Sequence, residues 1–383
     1  MSKKTLDVES ITAAGVRHLQ PYQPGKSVEE LERELGLSSI IKLASNENPW
    51  GASTAVAAAV TRVLSGLERY PDGSGHRLKN ALSRKLGVSS GQITLGNGSN
   101  DVLELLVRCF VEPGEGVVVS DHAFAVYTLA AKSVNATIST VPACDYGHDL
   151  EAMAQAVDEG TKLIFIANPN NPTGTYVGYE ELLRFLERIP EKGITVLDEA
   201  YFEYVDDRDY PNGVELLERF PGLVVTRTFS KVYGLAGLRV GYAIASEAIT
   251  ETLNRVRQPF NVNSLALAAA EAALSDEQFV RLSRKENIKG MSQLCRGFEA
   301  LGLNWIRSSG NFICVKVGSK ATQIYKSMLG QGVIVRPVAN YGLPEHLRVT
   351  VGLPQEANPI ADISTKPKMS FQVNEIGGIP EAK

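Results

Sequence analysis

Three polar segments, each directly after an apolar strand-like run, hold the side chains best suited to chemistry. Asn168-Pro-Asn-Asn171-Pro-Thr-Gly174 follows Lys162–Ala167, and its prolines and glycine impose a fixed loop that presents asparagines in a set direction. Asp198-Glu-Ala-Tyr201 follows Thr195–Leu197 and delivers one acid and one phenol to a strand end. An ordinary capping acid with a packed aromatic would give the same pattern. Lys231 stands in Thr228-Phe-Ser230-Lys231, eight residues ahead of Arg239 in a glycine-punctuated loop. If Lys231 were only a solvated surface lysine, Thr228, Ser230 and Arg239 around it would be unexplained. A fourth segment, Gly98-Ser99-Asn100, opens a helix after a strand, where free N–H groups and the positive helix end suit a phosphate. Those residue types also form common N-caps, and Asp101 would oppose an anion unless its side chain turns away. Near the other end of the chain lie Arg336 and Arg348, whose planar guanidinium groups can grip carboxylates or phosphates through paired hydrogen bonds. For Arg336 the plain alternative is a surface ion pair.

These groups need a scaffold that brings strand ends together. From about Ile40 to Ser246, β-rich runs alternate with helical patterns, as in βαβ units around a mainly parallel sheet. The expected strands are Gln92–Leu95, Gly116–Ser120, Ala136–Val141, Lys162–Ala167, Thr195–Leu197, Leu223–Thr226 and Val240–Ala245. Open α/β sheets place ligands beyond the carboxyl ends of such strands. After Arg257-Gln-Pro-Phe-Asn-Val-Asn the pattern changes: Phe312–Val317, Gly332–Pro337 and His346–Val351 read as short strands with a helix at Thr322–Leu329 between the first two. The fold class is therefore α/β, a large domain with a mainly parallel sheet flanked by helices, plus a smaller α+β domain. The N-terminal arm, to about Ser39, is expected to pack with the smaller one.

A length of 383 residues with 44% hydrophobic side chains supports two cores, because single cores stop growing beyond about 250–300 residues. Thirty-nine basic against 43 acidic side chains give a net charge of -4, which argues against a nucleic-acid partner but leaves room for a local cationic pocket. The four cysteines and five histidines are scattered without metal-ligand spacing, so no metal site is expected. Asp206-Asp-Arg-Asp209 lacks calcium-loop spacing and reads as a solvated turn. No apolar stretch follows the first lysines, and the longest apolar runs are too short to span a bilayer, so a cytoplasmic protein without membrane partners is expected. Two nucleotide-binding patterns fail: Gln20 stands where a P-loop ending in Gly25-Lys26-Ser27 needs glycine, and Asp101 stands where a dinucleotide fingerprint needs its third glycine.

In this order, NPNNPTG, DEAY and SKxxxxxxxR resemble the motifs of the fold-type I, pyridoxal-phosphate-dependent aminotransferases of class I and II, over roughly residues 17 to 353. Within them, LQPYQPGK, NENPWG, RYPDG, RQPFNVN, GVIVRP and YGLPEHLRVTVG look most like the histidinol-phosphate aminotransferases. The resemblance implies transamination between L-histidinol phosphate and 2-oxoglutarate in histidine biosynthesis. It implies that Lys231 bonds the cofactor's aldehyde and moves protons, its ammonium form disfavoured by Arg239. Asp198 pairs with the protonated pyridine nitrogen, and Asn171 and Tyr201 hydrogen-bond the ring's phenolic oxygen. Ser99, Asn100, Thr228, Ser230 and Arg239 hold the cofactor phosphate, joined by Tyr70 from a neighbouring subunit, which implies a homodimer. Phe124 stacks on the ring, with Tyr127 a rival for that place. Arg348 takes the substrate carboxylate, while Arg336 and Tyr22 take the substrate phosphate.

An aromatic amino-acid aminotransferase shares most of these features, and a threonine-phosphate decarboxylase shares the scaffold and the phosphate-facing arginines. A cofactor-binding regulatory module without turnover is the reading from another class. Residues 1–45 are assigned to an arm belonging to the small domain, 46–262 to the cofactor domain and 263–353 to the small domain. Residues 354–383 depart from the family, because Pro359, Pro367, Gly377, Gly378 and Pro380 interrupt the closing helix expected there, and they read as a loose tail.

Overall fold

The computed structural model describes residues 6–37 and 39–356. Its strands are β1 (Ile41–Lys42), β2 (Ile93–Gly96), β3 (Gly116–Ser120), β4 (Thr137–Val141), β5 (Thr161–Ala167), β6 (Ile194–Asp198), β7 (Leu223–Thr228), β8 (Gly241–Ile244), β9 (Asn304–Ile306), β10 (Phe312–Lys316), β11 (Val333–Ile334), β12 (Arg336–Pro337) and β13 (His346–Thr350). Seven of them form one sheet in the order β2-β8-β7-β6-β5-β3-β4. All its pairings are parallel except those of β8, which runs antiparallel between β2 and β7.

Both faces of this sheet are covered, which explains the unbroken apolar runs of its strands. Along β5, Leu163, Phe165 and Ala167 enter one core while Ile164 and Ile166 enter the other, the period-two alternation of an extended chain. Helices Ser99–Phe110, Ala125–Ser133 and Glu247–Val256 cover the first face. On the second lie His76–Leu86, Leu150–Gln155, Tyr179–Arg188 and Ser264–Ser275. The last of these buries Ala266, Ala269, Ala270 and Ala273 in the larger core.

A second, antiparallel sheet has the order β12-β13-β10-β9. Leu294 and Phe298 of the helix Glu277–Ala300, with Met328 of Ala321–Gly330, pack on its Ile313, Val315, Leu347 and Val349. The single strand expected at Gly332–Pro337 is instead two. β11 pairs with β1, and after the fully buried Val335 the chain shifts to β13 as β12. Pro337 is tolerated there because an edge strand does not need its missing donor.

The N-terminal arm touches both units. Leu31 of the helix Val28–Leu35 packs with Ala44 and Ile334, whereas the turn Ala14–Arg17 lies on the helix Ala125–Ser133. Of the segment read as a tail, Pro354–Glu356 forms a short turn closed by Leu353 N–H donating to Glu356, and residues 357–383 lie outside the described residues. Among the described residues, no helix is long and apolar enough to cross a membrane.

Candidate active site

The carboxyl ends of the parallel strands β5, β6 and β7 open into a cavity of about 330 Å³, and the arm, the end of β1 and the edge of the small sheet supply its other walls. After β7, Phe229 and Val232 bury completely on either side of Lys231, and two backbone bonds, Gly234 N–H to Lys231 and Leu235 N–H to Phe229, close the loop. Gly234 has φ of 71° and sits against the Gly51 carbonyl, where no side chain fits. Lys231 Nζ thus enters the cavity with one protein acceptor, the Ser45 carbonyl at 3.2 Å. Burial, and after it the charge of Arg348, push its pKa down to about 8, with Arg239 a smaller contributor. The expected effect of Arg239 therefore exists but ranks behind desolvation and Arg348.

Asp198 ends β6 with a buried carboxylate. Thr226 of β7, its cross-strand partner, donates to Oδ1 at 2.9 Å, and the Tyr127 hydroxyl donates to Oδ2 at 2.7 Å. Burial raises the pKa of Asp198, and the hydrogen bonds from Tyr127 and Thr226 oppose that rise. Tyr127 is fully buried and stacked on Phe165 at 4.6 Å between ring centroids. That geometry separates the two aromatic rivals: Phe124 is partly exposed along the cavity and meets Tyr127 edge-on, while Tyr127 supports the acid. Sequence reading missed this role; its one signal is that a phenol three residues along a helix from Phe124 shares that helix face.

The helix Ser99–Phe110 begins with no side-chain cap. Asp101 is turned away, accepting from the Asn97 N–H and the Asn261 amide, each at 2.8 Å, so it does not oppose an anion at the first turn. Gly98, at φ of 80°, lies so close to the Arg239 guanidinium that an added Cβ would stand 2.5 Å from Nη2. Gly241 meets the Ser99 N–H equally closely. Arg239 itself adopts a left-handed backbone, φ of 56°, and its Nη1 reaches Ser230 Oγ at 3.4 Å. Ser99, Asn100, Thr228, Ser230 and Arg239 consequently share one stretch of cavity wall with unspent donors.

Arg336 and Arg348 are direct cross-strand partners on β12 and β13. Like charges in that position repel unless an anion joins them. Each is anchored by a backbone carbonyl, Arg336 Nη2 to Gln23 at 2.7 Å and Arg348 Nη2 to Ala44 at 2.6 Å. Arg348 also donates to the Asn171 side chain, while its buried Nε has no partner. Tyr22 lies under Arg336, 5.8 Å from guanidinium carbon to ring centroid. The Tyr201 hydroxyl accepts from Asn46 Nδ2 at 2.8 Å and keeps its own proton, since burial raises its pKa to about 12. Asn46, held at φ of 55° and bonded through its N–H to Thr350, was not singled out from sequence.

Every expected site residue lines this cavity except Tyr70. Tyr70 is 82% exposed and stacks on Phe260, 4.7 Å between ring centroids. Among the described residues no cluster of histidine, cysteine and carboxylates could hold a metal. The donor set fits pyridoxal phosphate: uncapped N–H groups, hydroxyls and Arg239 for a phosphate, Phe124 for a ring face, Asp198 for a protonated ring nitrogen and Lys231 for an aldehyde.

Such a site on such a sheet defines an aminotransferase, and the aminotransferase class I and II family, to which this chain belongs, matches residues 38–361. The chain is 56% identical over 349 residues to histidinol-phosphate aminotransferase 2 of Pseudomonas fluorescens, covering 91% of this chain and 94% of that protein. To histidinol-phosphate aminotransferase 2 of Methylococcus capsulatus it is 54% identical over 357 residues, covering 92% and 96%. Among solved structures it is similar to histidinol-phosphate aminotransferase from Sinorhizobium meliloti in complex with pyridoxal-5'-phosphate. The TM-score is 0.86 and the identity 30%, over 93% of this chain and 98% of that one.

Proposed function

We infer that this chain moves an amino group between L-histidinol phosphate and 2-oxoglutarate, giving imidazole acetol phosphate and L-glutamate, with the reverse as the direction that builds histidine. The observation that carries this reading is the buried pair Arg336 and Arg348, facing each other across β12 and β13 in the wall of the Lys231 cavity. Two guanidinium groups suit a substrate with a phosphate at one end, or a second substrate with two carboxylates.

Pyridoxal phosphate, when bound, supplies the electron sink that weakens the substrate's Cα–H bond. The chain's own groups do the rest. Lys231 Nζ, with a pKa of about 8, is a free amine often enough near neutrality to bond an aldehyde and to take and return the Cα proton. Asp198, steadied by Tyr127 and Thr226, offers its carboxylate to a ring N–H. Asn171 and Tyr201 would hydrogen-bond the ring's phenolic oxygen, and Phe124 would pack on the ring's face. Ser99, Asn100, Thr228, Ser230 and Arg239 would hold the cofactor phosphate. Arg348 would take the α-carboxylate of glutamate, and Arg336 with Tyr22 would hold the phosphate of histidinol phosphate.

The working unit is proposed to be a cytoplasmic homodimer. The exposure of Tyr70 and its stack on Phe260 support a role completed in the neighbouring subunit's cavity. The domain division is proposed at 46–262 and 263–353, although the helix Ser264–Ser275 at the start of the second part packs its alanine face in the larger core.

Turnover with 2-oxoglutarate and histidinol phosphate, phenylalanine or tyrosine as donor tests the reading. Histidinol phosphate is expected to give the highest kcat/KM; a preference for phenylalanine or tyrosine would replace the reading with an aromatic aminotransferase.

A further inference from the structure

On the face of β6 and β7 turned away from the cavity lies an ion pair that the chemistry above does not use. Glu199 follows Asp198 and Arg227 lies between Thr226 and Thr228, so strand alternation sends the two sets of side chains to opposite faces. Glu199 is 0% exposed and Arg227 4%. Arg227 Nε and Nη2 reach Glu199 Oε2 at 2.9 and 2.7 Å. The remaining partners are also specific. Arg227 Nη2 donates to Asn212 Oδ1 at 2.7 Å, Glu199 Oε1 accepts the Gly213 N–H at 2.8 Å, and the Arg227 guanidinium lies 3.6 Å from the Phe202 ring centroid.

An apolar pair would fill this space at less desolvation cost, so stability alone does not account for two buried charges. A fixed geometry does: the pair ties β6 to β7 one residue beyond Asp198 and one residue before Thr228, and the backbone bond from Glu199 N–H to the Thr226 carbonyl, 2.9 Å, lies within the tie. A slip of that pairing by one residue would turn Asp198 and Thr228 out of the cavity. We propose that Glu199 and Arg227 are positioning residues for the cofactor site, a clamp on the far face of the sheet that sets where Asp198 and Thr228 stand. The proposal rests on the reading of Asp198 given above.

The test is the double variant Glu199→Met/Arg227→Met of the full chain, which removes both charges together; Glu203 then loses the Arg227 charge beside it and the Gly213 N–H its Glu199 acceptor. The variant's thermal midpoint is expected somewhat below the parent's, while pyridoxal phosphate binds about ten-fold more weakly. With the cofactor saturating, kcat falls, KM for histidinol phosphate stays, and the pH midpoint of the bound cofactor's absorbance shifts. Parental cofactor affinity and an unmoved absorbance midpoint would overturn the clamp. Asp198→Asn, measured alongside, keeps the two readings apart: if it weakens binding and the double variant does not, the clamp alone fails, and if it is silent the site reading fails and takes the clamp with it. Should the double variant not fold, Asn212→Ala, which removes one Arg227 acceptor, carries the test through the same absorbance midpoint, expected to shift in the same direction; an unmoved midpoint overturns the proposal.

Discussion

Arg239 and the pair Arg336 and Arg348 face one cavity from different sheets, and their surroundings differ. Arg239 sits among neutral donors supplied largely by backbone: the uncapped start of the helix Ser99–Phe110, closed up by Gly98 and Gly241. Arg336 and Arg348 are instead two charges set against each other on a small sheet, tied to the carbonyls of Gln23 in the arm and Ala44 just after β1. A seat of fixed dipoles suits a resident group, whereas opposed charges held by an arm suit an anion that must arrive and leave. On the proposed reading the larger sheet keeps the cofactor and the smaller one sorts substrates.

That contrast can be broken at measurable points. Lys231→Ala, in the resident half, is expected to lower kcat by at least about 10⁴-fold. Borohydride reduction of the parent followed by peptide mapping should place the label on Lys231, and label on another lysine contradicts the assignment. Asp198→Asn removes a charge buried at the end of β6 and should cost about 10²–10³-fold in kcat, with cofactor affinity falling too. In the sorting half, Arg336→Ala should lower kcat/KM for histidinol phosphate by roughly 10–100-fold, the loss of one or two hydrogen bonds to a charged group, and lower that for glutamate by less, because Arg348 still takes its α-carboxylate. Equal losses for both substrates would mean that the two arginines work as one unit. Tyr127→Phe, which leaves Asp198 Oδ2 without its donor, should cost about 1–3 kcal/mol of stability and a smaller loss of kcat, read from denaturant unfolding and steady-state rates.

The pH dependence of the cofactor-free chain probes Lys231 without turnover. Below pH 8 the lysine is protonated folded and unfolded alike, and between pH 8 and 10.5 only the unfolded chain keeps the proton. Stability attributable to this group therefore rises with pH across that window, by up to about 3 kcal/mol. Lys231→Met should flatten the rise; an identical slope in the variant would show that Lys231 is not the group responsible.

The strands of the larger sheet were readable because apolar runs bounded by polar, glycine-containing loops carry their own punctuation, and the motif residues Lys231 and Asp198 stand at those loops. Contacts created by pairing were not readable. The Tyr127 hydrogen bond to Asp198 joins positions 71 residues apart, and the Glu199 and Arg227 pair exists only through the β6–β7 register. Asn46 stands in the NENPWG motif, but its part in the site comes from the bond to the Tyr201 hydroxyl, 155 residues away. The division of Gly332–Pro337 at Val335 likewise depends on two different partner strands. Tyr70 lies outside its own chain's cavity and stacks on Phe260.

The claim that the small sheet selects a phosphate-bearing donor is tested most directly by the ratio of kcat/KM for histidinol phosphate to that for histidinol, its dephosphorylated form, in the parent and in Arg336→Ala. The account predicts a large ratio in the parent that collapses toward one in the variant. A ratio that survives the substitution unchanged would contradict it.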